Sequence, residues 1–101
     1  MITLHPEILN LKKQLLEKFN PQEIYLFGSF ARGMATDKSD IDLCIVMEYN
    51  EKRETLTQIY LSLDCSKPFD IILYHPDDWY KLIKQRDSFA YHIKSKGVKI
   101  W

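Results

Sequence analysis

Residues 23–47 read EIYLFGSFARGMATDKSDIDLCIVM, which is two strand-like runs separated by a glycine turn and a polar loop. Residues 23–27 are apolar, aromatic and β-branched after the first glutamate, as is typical of a short strand. Residues 40–47 alternate, with an apolar face on the odd positions and Asp40 and Asp42 beginning the other face. The sequence therefore predicts two strands that together present a pair of carboxylates.

The segment between these strands begins with Gly28-Ser29. A glycine after a strand allows a sharp turn and a close approach to a ligand. We expect a short helix ending near Gly33, whose first N–H groups, with the Ser29 hydroxyl, would hold a phosphate. An ordinary strand-to-helix turn with Ser29 as the helix N-cap is the alternative. Residues 34–39 are polar and are predicted to form a loop.

The rest of the chain alternates between helical and strand patterns. Apolar residues at helical spacing predict four further helices, and one more apolar run predicts a third strand. The helices are expected at residues 6–19, 51–63, from 75 onward and 88–96, the third strand at 69–74, and either a terminal strand or a tail at 98–101. This order predicts an α/β fold with a small mixed sheet covered by helices, and one domain over residues 1–101.

Charge and composition restrict the possible partners. The chain has 14 basic and 14 acidic residues and a formal net charge of zero. Proteins that bind an extended nucleic acid usually have a basic excess, because much of their affinity comes from neutralising phosphates. An extended nucleic-acid partner is therefore disfavoured, whereas a nucleotide or a protein partner remains open.

The cysteine count and hydropathy indicate a cytoplasmic protein. Cys44 and Cys65 have no metal-binding spacing, and two reduced thiols are expected. The first residues do not resemble a secretory leader. No apolar run approaches the roughly 18 residues that indicate a transmembrane helix.

Asp40 and Asp42 are the first candidates for catalysis. Alternate residues of a strand share a face and lie about 6.5–7 Å apart, so both carboxylates can reach shared cations. Without a cation, two such charges repel by about 2 kcal/mol at an effective dielectric of 20. A solvent-exposed strand end is the alternative explanation.

Asp70 is the third candidate. It is a single carboxylate inside the apolar run PFDIILY at residues 68–74. A buried aspartate is costly unless it is paired, hydrogen-bonded or bound to a metal. If its strand lies beside that of Asp42, all three carboxylates could reach the same Mg²⁺ or Mn²⁺ ions. Asp70 would also be placed to act as a general base toward an attacking hydroxyl.

These residues together resemble the signature of the nucleotidyltransferase superfamily related to DNA polymerase β. The resemblance rests on six positions or segments and is greatest with the minimal nucleotidyltransferase (MNT) domains of prokaryotes: Gly28, Ser29, Gly33, Ser39, residues 40–43 and Asp70. The signature covers residues 28–43 and Asp70, and the order of helices and strands also fits the family.

The resemblance implies the transfer of a nucleoside monophosphate, usually AMP from ATP, to a hydroxyl group, with release of pyrophosphate. Asp40, Asp42 and Asp70 would then be the catalytic metal ligands, with Mg²⁺ or Mn²⁺. The nucleotide-binding residues would be Gly28, Ser29, Arg32, Gly33 and Ser39. Arg32 matches a basic position of this branch and would contact phosphate or form a salt bridge that holds the loop.

The resemblance also implies a partner protein. Too few residues follow Asp42 for a second, acceptor-binding domain, so the acceptor is expected from outside. MNT domains act as antitoxins to HEPN-family ribonuclease toxins, which implies a hetero-oligomer with such a protein and AMP transfer to it. Two alternatives stay open: a module that neutralises its partner by contact alone, and a transferase acting on a small molecule.

The remaining functional residue types are assigned to structural or surface roles. The histidines are expected at the surface or at helix caps, the C-terminal lysines on a solvated helix face, and the aromatic residues in the core or at an interface. They are His5, His75 and His92; Lys81, Lys84, Lys94, Lys96 and Lys99; and Tyr25, Trp79, Tyr80, Phe89, Tyr91 and Trp101.

Overall fold

A computed structural model describes residues 4–101. Its elements follow the order α1 (Pro6–Lys18), β1 (Glu23–Phe27), β2 (Ile41–Val46), α2 (Lys52–Ser62), β3 (Phe69–Tyr74), α3 (Pro76–Leu82), α4 (Phe89–Lys96) and β4 (Val98–Lys99). The strands form one sheet in the order β3-β2-β1-β4. β1 is antiparallel to both of its neighbours, and β2 and β3 are parallel. The predicted α/β fold with a small mixed sheet is confirmed.

Helices cover both faces of the sheet. The odd positions of β2 join a core cluster with the buried residues of α1 and with Ile59 of α2. Cys44 and Val46 join a second cluster with Trp79 of α3 and Ile93 of α4. By the alternation of side chains along a strand, Asp42 lies on the face covered by α3 and α4.

The helix boundaries follow local capping chemistry. The Nδ1 atom of His5 accepts a hydrogen bond from the Glu7 N–H at 3.0 Å, and Pro6 occupies the first turn of α1. The Nδ1 atom of His75 accepts from the Asp77 N–H at 3.3 Å at the start of α3. These two histidines were expected at the surface or at helix caps, and both are helix caps.

Two aromatic side chains occupy different positions relative to the core. Tyr60 of α2 is 41% exposed, and its hydroxyl accepts a hydrogen bond from the Ile71 N–H on β3 at 2.7 Å. Trp79 was predicted as a core or interface residue, and this is confirmed: it is completely buried between Tyr25 and Tyr74 and belongs to the core.

A buried carboxylate ties three elements together at the start of β1. Glu23 is 8% exposed and accepts hydrogen bonds from the hydroxyls of Tyr25 and Tyr80, each at 2.7 Å. Lys99 of β4 lies 3.4 Å from the same carboxylate. Burial alone would raise the pKa of Glu23, but the two hydroxyl donors and Lys99 outweigh it, so the pKa lies below its usual value.

Cys44 and Cys65 are both free, as predicted, with Cys44 buried and Cys65 half-buried. Within residues 4–101, no helix has both the length and the apolar character needed to cross a bilayer. The expectation that the chain lacks a secretory leader concerns, in part, residues 1–3, which lie outside the described residues.

Candidate active site

Asp42 and Asp70 occupy paired positions on neighbouring parallel strands. Adjacent strands lie about 4.8 Å apart, so the two carboxylates project from the same face of the sheet at close range. Asp42 is half-buried and Asp70 is exposed. The tertiary structure therefore brings together two aspartates that are 28 positions apart in the sequence.

Asp70 was predicted to be buried, and this was wrong. β3 is an edge strand, and Asp70 is its second residue, so it lies near the end of the strand, where its side chain is exposed. The apolar residues around Asp70 belong to the opposite face of the strand, where Ile71 and Leu73 are buried. Its proximity to Asp42, rather than its burial, distinguishes this residue.

Gly28 lies directly beside Asp42. Phe27, the last residue of β1, pairs with Asp42 across the antiparallel β1–β2 ladder, and Gly28 follows with φ +76°. A Cβ atom on Gly28 would lie 3.2 Å from Asp42 Cγ and would collide with Asp42 Oδ2. The backbone conformation and the carboxylate each require a glycine at this position.

The charges of Asp40 and Asp70 act on Asp42. Burial raises the pKa of Asp42, and the negative charges of Asp70 and Asp40 raise it further. Asp40 immediately precedes β2 and is exposed. The site therefore concentrates negative charge where a cation would be favoured.

The segment after Gly28 is a turn, not the predicted short helix. The N–H groups of Ala31 and Arg32 both donate to the Gly28 carbonyl, and the Met34 N–H donates to the Ser29 carbonyl. Gly33 has φ +69°, which interrupts any helical continuation. A phosphate at this turn would thus be bound by turn amides and side chains and not by the N-terminus of a helix.

The other predicted nucleotide-binding residues have different surroundings. Ser29 is half-buried within the turn and Arg32 is exposed. Within residues 4–101, Lys99 and Glu23 form an ion pair and Arg32 forms none, so one of the two roles expected of Arg32, a salt bridge that holds the loop, is not observed. A Cβ atom on Gly33 would meet nothing within 4 Å.

Ser39 has a local role in the loop before β2. Its Oγ atom accepts a hydrogen bond from the Thr36 N–H at 2.8 Å, and the Ser39 N–H donates to the Thr36 carbonyl at 3.0 Å. This turn sets the direction from which the chain enters β2 at Asp40.

The donor set fits a hard divalent cation that is completed by a substrate. Across residues 4–101, no three His, Cys, Asp or Glu side chains are gathered closely enough to hold a metal by themselves. Mg²⁺ typically binds one or two protein carboxylates together with substrate phosphates and water. Asp42 and Asp70, with Asp40 nearby, match that pattern better than a site built only from protein ligands.

A cavity of about 220 Å³, here called the α4 cavity, adjoins the Gly28 turn. Arg32 lines it from the turn, and His92 and Lys96 line it from α4. From the sequence, His92 was expected at the surface or at a helix cap, and Lys96 on a solvated helix face. Their spacing of four residues, which puts them on one face of a helix, was the only sequence signal that pointed to a shared role.

The fold is that of a nucleotidyltransferase domain. The profile of the nucleotidyltransferase domain family matches residues 8–100, and the chain belongs to this family. This confirms the resemblance drawn from the signature residues.

Several curated proteins are similar to parts of the chain. A protein of Methanocaldococcus jannaschii named as a protein adenylyltransferase is 43% identical over 58 residues, 56% of each chain. The protein adenylyltransferase MntA of Thermococcus cleftensis is 46% identical over 37 residues, 37% of each chain. The matches span about half the length of these curated relatives or less.

A solved structure is similar in fold. The crystal structure of a protein described as a nucleotidyltransferase from Sulfolobus solfataricus matches with a TM-score of 0.56 and 23% sequence identity. The match covers 100% of this chain and 91% of that one. At this identity the similarity concerns the fold alone.

Proposed function

We propose that this protein is a metal-dependent nucleotidyltransferase that transfers AMP from ATP to a hydroxyl group on a partner protein. The observation that carries the proposal is the pairing of Asp42 with Asp70 on neighbouring strands, directly beside the Gly28 turn. Family membership supports the reaction class. The names of the curated relatives, protein adenylyltransferases, support AMP as the transferred group and a protein as the acceptor.

The chemistry is a displacement at the α-phosphorus of ATP. The acceptor oxygen forms a bond to the α-phosphorus, the bond to the bridging oxygen of the β-phosphate breaks, and pyrophosphate leaves. Asp70 is exposed and next to Asp42, so it is placed to take the proton of the acceptor hydroxyl. Gly28, Ser29 and Arg32 would bind the phosphates from the turn.

Asp40, Asp42 and Asp70 would hold Mg²⁺. This cation would neutralise phosphate charge where the three carboxylates otherwise repel an anionic substrate. Mg²⁺ is preferred to softer metals because the available side-chain donors are carboxylate oxygens. The raised pKa of Asp42 is consistent with a site whose negative charge is balanced on binding.

We further propose that the acceptor is a HEPN-family ribonuclease toxin and that this protein is its antitoxin in the cytoplasm. The resemblance to MNT domains supports this partner. The formal net charge of zero favours a protein over an extended nucleic acid as acceptor. The exposed aromatic side chains of Tyr80 and Trp101 would suit a protein interface.

Co-expression with a neighbouring HEPN protein, followed by intact-mass spectrometry, tests the proposal. A partner that gains the mass of one or more AMP groups, on a tyrosine or another hydroxyl, supports it. Asp42→Asn is the matched control and should leave the partner unmodified. A stable complex whose partner keeps its mass with ATP and Mg²⁺ supplied would favour neutralisation by contact alone. Transfer to a small molecule but not to the partner would contradict the protein acceptor.

A further inference from the structure

The α4 cavity lies between the Gly28 turn and α4, on the same face of the sheet as Asp42. Phe27 lines the cavity and pairs with Asp42 across the β1–β2 ladder. Gly28 also lines the cavity and packs against the Asp42 carboxylate. The cavity therefore opens directly beside the proposed reaction centre.

Side chains that can donate hydrogen bonds to an anion line the cavity on two sides. His92 and Lys96 are four residues apart on α4, so they project from one face of the helix one turn apart. Arg32 lies on the side of the turn. All three residues are exposed, so their polar ends are free to meet a ligand.

The same helix carries a lysine that faces elsewhere. Lys94 is two residues from both His92 and Lys96, about 200° around the helix. Its Nζ atom donates to the Tyr25 hydroxyl at 3.2 Å and lies 5.5 Å from the centre of the Tyr25 ring. On α4, Lys94 therefore hydrogen-bonds to Tyr25, which in turn donates to Glu23, whereas Lys96 lines the cavity.

An aromatic pair provides an apolar wall. The rings of Phe27 and Phe89 meet edge to face, with centroids 5.6 Å apart and planes at 88°. Phe89 is 52% exposed, so part of its ring is open to contact with a ligand. A ligand with both an apolar ring and an anionic tail would match this combination of surfaces.

The close approach of α4 to β1 depends on Gly97. A Cβ atom on this residue would lie 2.8 Å from the Leu26 carbonyl oxygen. Gly97 follows α4, and its N–H donates to the Ile93 carbonyl at 2.8 Å. This contact holds the end of α4, and with it Lys96, against the strand that leads into the Gly28 turn.

We propose that the α4 cavity binds the nucleoside triphosphate, with Lys96, His92 and Arg32 contacting the polyphosphate and Phe27 and Phe89 contacting the nucleoside. The inference rests on the proposed function and specifies how its substrate is held. The three aspartates repel the negatively charged triphosphate. Binding it at this site therefore requires positively charged side chains close by. The α4 face supplies them.

The test is the affinity for ATP with Mg²⁺, measured by isothermal titration calorimetry on the full chain. Loss of a charge-assisted contact in Lys96→Gln should weaken binding by about 10-fold or more. Phe89→Ala should weaken it by about 5-fold or more, because it removes an aromatic surface for the nucleoside. Lys94→Gln removes the same charge from the same helix and should stay within about 2-fold of wild type. Circular dichroism melts check that each variant is folded.

A second measurement does not depend on substitution. ATP with Mg²⁺ should slow the acetylation of Lys96 but not that of Lys94, as followed by peptide mass spectrometry. Wild-type affinity in both Lys96→Gln and Phe89→Ala, or equal protection of the two lysines, would overturn the inference. Absence of ATP binding by the wild-type protein would overturn it as well.

The two proposals fail in different ways. ATP binding that depends on Lys96 and Phe89, without AMP transfer to any protein, supports the cavity assignment and contradicts the proposed function. AMP transfer to the partner, with an ATP affinity that is the same in the Lys96 and Phe89 variants as in wild type, supports the proposed function and contradicts the cavity assignment.

Discussion

The Asp42 carboxylate packs directly against the backbone of Gly28, in the space that a side chain on Gly28 would occupy. A Cβ atom on Gly28 would lie 3.2 Å from Asp42 Cγ and closer still to one carboxylate oxygen. A turn glycine is usually explained by its backbone conformation, and φ +76° does require one here. The contact gives a second reason for the glycine: the turn and Asp42 can lie this close only because Gly28 has no side chain.

Replacing this glycine should therefore affect both stability and activity. In Gly28→Ala, an alanine must adopt the left-handed backbone conformation, which costs about 1–2 kcal/mol of stability. Its Cβ atom also displaces the Asp42 carboxylate. Gly33→Ala is the matched control, because Gly33 has φ +69° but space around its Cα. Urea denaturation should show a larger loss of stability for Gly28→Ala than for Gly33→Ala. Equal losses would mean that the contact with Asp42 has no energetic weight.

Removing the charge of Asp42 should abolish AMP transfer without unfolding the protein. Asp42→Asn keeps the shape of the side chain but removes a ligand charge, and it relieves the repulsion from Asp70 and Asp40 that accompanies the raised pKa. At pH 7 without metal, the variant should unfold at the same temperature as wild type or higher. Asp70→Asn should likewise lose activity and keep the fold. Labelled AMP transfer and a thermal melt are measured on each, and wild-type activity in either variant would contradict the catalytic assignment.

Mg²⁺ and ATP should stabilise the protein together. A ligand at 100 times its dissociation constant adds about 2.7 kcal/mol, which raises the melting temperature of a domain this size by on the order of 10 °C. The shift should be smaller with either component alone, because the phosphates complete the metal coordination. The control is Asp42→Asn, which should lose most of the shift. A melting temperature unaffected by the pair would count against a metal–nucleotide site.

The buried Glu23 should make stability depend on acid pH. Its pKa is lowered in the folded protein, so its stabilising effect is full above the unfolded value of about 4.3 and is lost as the pH falls through the folded value. Glu23→Gln should therefore be less stable than wild type at pH 7, with the difference shrinking below about pH 4. Urea midpoints from pH 7 to pH 3 measure this. Glu48→Gln, an exposed site after β2, serves as the control and should show little difference at either end.

The secondary structure was largely predictable because most elements have a clear apolar period. β1 and β3 occupy the predicted ranges, and α1, β2, α2 and α4 end within one residue of the prediction. The terminal segment at 98–101, left open between strand and tail, contains a strand that pairs with β1. The helix expected after Gly28 does not form, because Gly33 at positive φ and the hydrogen bonds to the Gly28 carbonyl close a turn instead.

The candidate site was predicted in part. Spacing along one strand identified Asp40 and Asp42, since alternate residues share a face whatever the rest of the fold. Asp70 was chosen partly for a burial that it does not have. His92 was expected at the surface or at a helix cap and Lys96 on a solvated helix face, because nothing local distinguishes a lysine that lines a cavity from one that faces solvent.

The sequence by itself determined the strand and helix periods, the need for a glycine after β1 and the pair of aspartates at the start of β2. These depend on interactions within a few residues, which composition and spacing record directly. Only the tertiary structure decided that Asp70 stands beside Asp42, that Gly28 makes room for that carboxylate, and that α4 brings Lys96 to the turn. Each of these is set by strand order, register and helix packing, which join residues far apart in the chain and leave no local pattern in the sequence.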